Sequence, residues 1–319
     1  MKALKIGVIM DPIQNIDINK DTTFAIMLEA QKRRHEIFYM EIGDLFIKGA
    51  QPGGTARSLR VARSKPHFEL GPLQSRPLAW FDVVLMRKDP PFDLNFFFAT
   101  QLLSLVDPKR CVVLNDPHGL REAPEKLYGL NFPEIIPPSI VTSGINRLKE
   151  FMDEQGGEMI LKPLEGAGGR GVLYLNRKDR NVNALLELAT MEGKVPVMGQ
   201  RYLPEIRVGD KRVLVLDGEP IGALLRVPRE DDNRANIHAG GGSAPGQITA
   251  RDREICGVLA ESLRKLGLYF VGLDVIGGFV TEVNVTSPTC VQEINAFDGV
   301  QLEAKIVDFI EQKAPNRDS

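Results

Sequence analysis

The sequence predicts an α/β protein: a parallel-sheet unit over the first third, then a longer α+β part in which short strands alternate with long helices. Three observations carry that prediction. Up to residue 115, apolar runs of strand length alternate with amphipathic stretches of helical length, the pattern of strands buried on both faces beneath helices. Pro124, Pro133, Pro137 and Pro138 then punctuate a connection, beyond which the apolar runs become short and closely spaced. The 319 residues amount to roughly twice a typical domain. Two or three cores can form.

Lys5 to Met10 (KIGVIM) reads as a buried strand, and Phe24 to Arg34 as a helix with apolar residues at 24, 27, 28 and 30. Glu36 to Met40, Asp82 to Met86 and Cys111 to Leu114 supply three more strands, the last two flanking an apolar helical stretch at Phe96 to Leu105. Between them, Asp44 to Leu78 is rich in proline and glycine and reads as an irregular excursion with room for one hairpin. After the proline-punctuated connection come a strand at Ile140 to Thr142, a helix at Ile145 to Glu154 and a strand at Met159 to Lys162. A glycine loop, a strand at Val172 to Leu175, a helix at Val182 to Met191 and a strand at Val195 to Gln200 follow. From Arg201 short strands dominate (212–216, 221–226, 270–276, 279–285), with helices at Arg251 to Leu266 and Val300 to Lys313. The expected domains are 1–122, 123–200 and 201–319.

Composition narrows the function by exclusion. With 40 Lys+Arg against 42 Asp+Glu the net charge is −2, without the basic excess that non-specific nucleic-acid or membrane-surface binding needs. Three cysteines are too few and too scattered for a disulfide framework or a zinc knuckle, and the four histidines have no metal-ligand spacing. No run approaches the ~20 apolar residues of a membrane-spanning helix, and Met1 to Met10 lacks the apolar length of a signal peptide. A cytoplasmic protein is expected.

Three groups of residues carry chemistry. Glu165 to Gly171 (EGAGGRG) holds four glycines between two strands, letting backbone N–H groups approach an anion, although a hairpin tip has the same composition. Lys162 tips the balance, because a lysine ending an apolar strand needs an anionic partner. In Phe270 to Ser287 (FVGLDVIGGFVTEVNVTS), Glu282 and Asn284 share one face of a strand. Asp274 joins them if the turn holds three residues, Gly277–Gly278–Phe279. Three oxygen donors on an apolar hairpin suit Mg²⁺; a solvent-facing polar edge is the alternative. Arg87, Arg212, Arg226 and Arg234 are singly surface charges, but at strand ends and in a glycine-bearing segment they make carboxylate or phosphate recognition credible. Cys290 reads as a buried small residue.

Together with these groups, VIMDPI (8–13), MRKDPPFD (86–93), EKL (125–127), ILKPLEGAGG (160–169), GDKRVLVLDGEP (209–220) and TEVNVTSPT (281–289) resemble the bacterial-type glutathione synthetases of the ATP-grasp superfamily. The resemblance runs from the first strand to near residue 295. It implies a Rossmann-like N-terminal domain followed by an ATP-grasp fold of two subdomains, and ATP-dependent ligation of γ-glutamylcysteine to glycine. Lys126 and Lys162 would hold the nucleotide phosphates under a loop containing Glu165, Gly166, Gly168, Gly169 and Gly171. Gln200, Arg201, Tyr202 and Leu203 would meet adenine, with Asp210 assisting, and Asp274, Glu282 and Asn284 would bind two Mg²⁺, with Mn²⁺ as substitute. Arg212, Arg226 and Arg234 would act on the reacting carboxylate. Arg87, Asp89, Gly240, Gly241, Ser287 and Thr289 would complete the dipeptide site, and a homotetramer is implied.

The chain departs from that pattern at Ala235, where relatives commonly carry glycine, at Gly242, where they often carry arginine, and at Gln292, where arginine is usual. Two cations expected near the substrate are thereby replaced, which bears on affinity for the dipeptide and on its identity. A ligase joining another γ-glutamyl peptide or amino-acid pair is the alternative within enzymes, and a nucleotide-binding protein without turnover the alternative outside them. A polar, glycine-rich stretch, Pro228 to Ala244, reads as a lid over the reactive intermediate.

Overall fold

The computed structural model describes residues 3–229 and 242–315. The first sheet contains β1 (Lys5–Ile9), β2 (Glu36–Met40), β3 (Leu45–Lys48), β4 (Gln51–Val61), β5 (Phe68–Pro77), β6 (Val83–Met86) and β7 (Val112–Leu114). Its strand order is β3-β4-β2-β1-β6-β7, with β5 added on β4. The central run β2-β1-β6-β7 is parallel. Helices α1 (Thr22–Lys32), α2 (Leu94–Leu103) and α3 (Pro117–Glu122) start on aspartates whose carboxylates accept from the first-turn amides, as Asp21 does from Phe24 N at 2.6 Å.

The excursion at 44–78 is more regular than its composition implied. β3, β4 and β5 form two successive antiparallel hairpins. Several glycines there serve close approach instead of turning. A Cβ on Gly53 would lie 2.5 Å from the Phe46 ring, and one on Gly54 2.5 Å from Met40 Sδ. Pro72 and Pro77 sit on β5, whose far side is an edge needing no donors. Reading proline and glycine as breakers missed both uses.

A four-stranded sheet follows, with β8 (Ser139–Thr142), α4 (Ile145–Glu154), β9 (Glu158–Pro163), β10 (Leu173–Asn176), α5 (Val182–Ala189) and β11 (Val197–Arg201), in the order β10-β9-β11-β8. The last sheet orders its five strands β14-β13-β12-β15-β16. They are β12 (Asp210–Leu216), β13 (Glu219–Val227), β14 (Gly242–Pro245), β15 (Phe270–Ile276) and β16 (Phe279–Asn284), accompanied by α6 (Ala250–Lys265), α7 (Val291–Asp298) and α8 (Leu302–Lys313). Helix α6 opens with a reciprocal cap between Thr249 and Asp252. Helix α7, unforeseen in the sequence, starts from Cys290 in a left-handed conformation, φ +90°.

The cores explain where a cleft can form. One cluster joins Ile9, Phe38 and Val84 of the first sheet to Val213, Leu273 and Val283 of the last. A second joins Phe24 and Met27 of α1 to Leu224, Ile306 and Phe309. Burial thus welds the first and last sheets into one body. The middle sheet closes on its own core of Leu148, Phe151, Met159, Leu161, Leu186 and Val197.

Candidate active site

Between the middle and last sheets lies a cleft of about 790 Å³, part of it open to solvent, lined by Lys126, Lys162, the glycine loop, residues 200–203, Asp210, Asp274 and Glu282. Ile160, Val172, Ile206 and Ile276 supply apolar walls. The cleft therefore offers both apolar surface suited to a flat ring and charged groups suited to anions.

Lys162 stands near the end of β9. Its ammonium donates to Gln200 Oε1 at 2.8 Å and to the Thr281 carbonyl of β16 at 3.3 Å, spanning the cleft. Burial pulls its pKa down, while Glu282 pulls it back up. Lys126, 8 % exposed, donates to the Gly166 carbonyl at 2.7 Å and pairs with Glu282 at 3.1 Å. Gly166, Gly168, Gly169 and Gly171 all adopt positive φ, between +67° and +106°, a path that L side chains resist. Glu165 and Arg170 are exposed beside them. Gln200 has both ends of its amide engaged, by Lys162 and by Ser139 Oγ at 3.0 Å. Its side chain positions the lysine. Tyr202 packs edge-on against Tyr174, and Leu203 is buried at the cleft wall.

On the last sheet Asp274 lies opposite Glu282, with Asn284 two residues further on the same strand. The expected three-residue turn is not how this is reached. Ile276 pairs with Phe279, so Gly277 and Gly278 form a two-residue turn, both at positive φ. A β-bulge between Asp274 and Val275 then skips Thr281 and restores the register. The bulged Thr281 is the residue whose carbonyl meets Lys162. Asn284 Nδ2 donates to the Gly272 carbonyl at 3.1 Å, so the amide's remaining polar atom is an acceptor.

Behind the carboxylates sit two buried arginines. Arg212 binds Asp274 through two nitrogens, at 2.6 and 3.2 Å. Arg226 reaches Asp274 at 2.8 Å and also pairs closely with Asp210. Burial alone would raise the Asp274 carboxyl, but Arg212 and then Arg226 hold it well below the usual carboxylate range. Burial pushes Asp210 up to about 6 against the pull of Arg226. Asp210 Oδ1 is buried with no hydrogen-bond partner. A further hard cation or donor is what such an orphaned oxygen lacks.

The carboxylate and amide oxygens of Asp274, Glu282 and Asn284 are a donor set that fits Mg²⁺. Among the described residues no group of three or more His, Cys, Asp or Glu forms a metal site; this set instead relies on Asn284.

Sequence reasoning passed over Glu125, although it stands beside Lys126 in the EKL motif. Its Oε1 accepts from Val285 N, Thr286 N and Thr286 Oγ1 at 2.8 to 3.1 Å, holding the end of β16. Burial and the nearby Glu282 raise its pKa. The Thr281 carbonyl was beyond reach, because it depends on the bulge.

Arg87, buried at the carboxyl end of β6, joins the two welded sheets. Its Nε donates to Thr23 Oγ1 at 3.0 Å and its Nη2 to the Pro288 carbonyl at 2.8 Å. Ser287 Oγ donates to the Arg87 carbonyl at 3.3 Å, and Thr289 Oγ1 contacts Cys290 Sγ at 3.7 Å. Asp89 is exposed, with its N–H on Asp11 Oδ2 at 2.9 Å. Arg234, Ala235, Gly240 and Gly241, with most of the expected lid, lie outside the described residues.

The profile of the prokaryotic glutathione synthetase N-terminal domain matches residues 4–121, and that of the ATP-grasp domain of the same enzymes matches 125–299. The chain belongs to the prokaryotic glutathione synthetase family. It is similar to the glutathione synthetases of Thermosynechococcus vestitus (45 % identity, covering 96 % of this chain and 99 % of that one) and Brucella melitensis (44 %, 98 % and 99 %). Among solved structures it resembles the D-cycloserine synthetase DcsG, with TM-score 0.66 and 14 % identity over 95 % of this chain and 98 % of that one. The ATP-grasp ligase PsnB, solved with a minimal precursor, Mg and ADP, gives TM-score 0.62 and 16 % identity over 98 % of each chain. At that identity the likeness concerns the fold, which is the ATP-grasp fold expected for the glutathione synthetase family. No described helix is long and apolar enough to cross a membrane.

Proposed function

We propose that this chain joins γ-L-glutamyl-L-cysteine to glycine, forming glutathione, ADP and phosphate. One observation carries the chemistry: two cleft lysines, Lys126 and Lys162, face the opposed carboxylates Asp274 and Glu282, with Arg212 and Arg226 directly behind. A carboxylate is a poor electrophile, so ATP must first convert the cysteinyl carboxylate to an acyl phosphate, which glycine's amine attacks with loss of phosphate.

Lys126 and Lys162 neutralise the nucleotide phosphates beneath the 165–171 loop, and residues 200–203 with Asp210 hold the nucleoside end. Asp274, Glu282 and Asn284 would hold two Mg²⁺, or Mn²⁺ in their place. When bound there, the metal offsets charge on the transferring phosphoryl group. Arg212, Arg226 and Arg234 orient the reacting carboxylate and stabilise the oxyanion that forms on attack. Arg87, Asp89, Ser287, Thr289, Gly240 and Gly241 receive the dipeptide. The division at 122 and 200, a homotetrameric assembly and a cytoplasmic location belong to the same reading.

The test is phosphate release from ATP and Mg²⁺ with γ-glutamylcysteine and glycine, set against other acid and amine pairs. Release with the named pair is expected. Release only with another pair would reassign the substrate, and none with any pair would leave a nucleotide-binding protein.

A further inference from the structure

The residue that replaces the arginine expected at 292 is fully engaged. Gln292 Nε2 donates to the carbonyls of Asp21 (2.6 Å) and Ile18 (3.1 Å), and its Oε1 accepts from Arg63 Nη2 at 2.7 Å. Arg63 Nη1 donates to the same Ile18 carbonyl at 3.3 Å, closing a ring of contacts. Arg63 comes from the 62–67 connection between β4 and β5, inside the excursion that the sequence left without a role. Its guanidinium also lies 5.8 Å from the Phe24 ring centroid. The tip is pinned to the same loop by His67 Nε2 on the Ile13 carbonyl at 3.0 Å. A cation does stand at 292, supplied from another part of the chain.

The ring ties the loop before α1 to the first turn of α7. A second contact runs in parallel, Val291 N to Thr22 Oγ1 at 3.3 Å. The segment Ser287 to Thr289 leads straight into that turn, and its other anchor is Arg87, itself bonded to Thr23 and Pro288. The residues assigned to the dipeptide are therefore strung between Arg87 and the Arg63–Gln292 bridge. The nucleotide end is held elsewhere, by Lys126 and Lys162.

We propose that Arg63 is a positioning residue for the dipeptide subsite, acting through Gln292 to fix the Ser287–Thr289 segment against the loop before α1. This rests on the assignment of that segment to the dipeptide. Arg63 is exposed and outside the hydrophobic cores, so removing it leaves the packing in place. What it removes is a charged donor to a buried amide oxygen.

The experiment compares wild type, Arg63→Ala, Arg63→Lys and the exchange Arg63→Gln/Gln292→Arg. Arg63→Ala should raise KM for γ-glutamylcysteine about tenfold, as expected for a lost charged hydrogen bond, with kcat and KM for ATP unchanged and the thermal midpoint lowered by only a few degrees. Arg63→Lys should recover only part of this, since an ammonium lacks the fork that serves Gln292 and Ile18 together. The exchange variant should recover most of it, because an arginine at 292 can donate to the same carbonyls and to the new glutamine. An unchanged KM, or an equal rise in KM for ATP, would overturn the proposal. Hydrogen exchange over 287–295 supplies a readout independent of substrate. Faster exchange in Arg63→Ala is expected, and no change would overturn the bridge even if wild type used another dipeptide. Absence of turnover with γ-glutamylcysteine in wild type would count against the substrate assignment alone.

Discussion

Glu282 is surrounded by groups that need its charge. It faces Asp274 across the hairpin and pairs with Lys126, which in turn holds the glycine loop. Glu282→Gln keeps the volume and removes the charge, so turnover should fall about a hundredfold or more while circular dichroism and the thermal midpoint stay near wild type. Retained activity would remove it from the metal set. Asp210 offers a pH test. Its pKa of about 6 in the fold exceeds the ordinary 3.8, so its contribution to stability is complete below about pH 4 and is lost as pH rises through about 6. Asp210→Asn has no such loss. Thermal midpoints at pH 4 and pH 7 should therefore show the variant gaining on wild type at the higher pH, by an amount corresponding to at most about 3 kcal/mol. A gap that stays constant would mean that burial does not control this carboxyl. That Lys162 and the glycine loop would share one cleft was legible in the sequence, since a lysine ending an apolar strand is conspicuous; that Lys126, and not Lys162, bonds the loop was not. The role of Glu125 was not, since a glutamate beside a lysine looks like ordinary surface charge until its three donors are seen.

The β15–β16 hairpin shows how little an element's chemistry reveals of its register. Alternation alone put Glu282 and Asn284 on one face, and that pairing needs only the two-residue period of a strand. Opposing Asp274 to Glu282 required one residue of adjustment, and turn length and bulge supply it equally well. The chain uses the bulge, because Gly277 and Gly278 accept the left-handed pair of a two-residue turn. Gly278→Ala should destabilise the protein by about 1 kcal/mol from backbone strain, since a Cβ there meets nothing nearer than Arg251 Cγ at 3.5 Å. Gly278→Asn should lose less, because asparagine tolerates that conformation better. Urea midpoints of the two variants check the order, and equal losses would point to a different turn.

At the scale of the molecule, a second buried residue besides Arg87 joins the first sheet to the last. Asn115, directly after β7, donates from Nδ2 to the carbonyls of Phe270 and Val285, both at 2.8 Å. Its Oδ1 accepts from Tyr269 N and Phe270 N, both at 3.0 Å. Asn115→Asp would turn a carboxylate oxygen toward two carbonyls. A loss of about 3 kcal/mol or more is expected, read as a lowered thermal midpoint; Asn115→Asp melting with wild type would mean that the sheets are held by apolar packing alone. The middle sheet, with its separate core, takes no part in that weld.

Local chemistry and period determined much of this protein from the sequence alone: the parallel first sheet, the helix that follows its first strand, the glycine loop and the shared face of Glu282 and Asn284. These depend on residues near one another in the chain, where propensity and alternation act directly. Tertiary structure decided the rest. It set the order of the excursion's hairpins, the bulge that seats Thr281 under Lys162, the grip of Arg212 and Arg226 on Asp274, and the arrival of Arg63 beside Gln292. Each joins residues through burial or hydrogen bonds that form only once distant segments pack, and no local pattern encodes a partner more than two hundred residues away, as Arg63 is from Gln292.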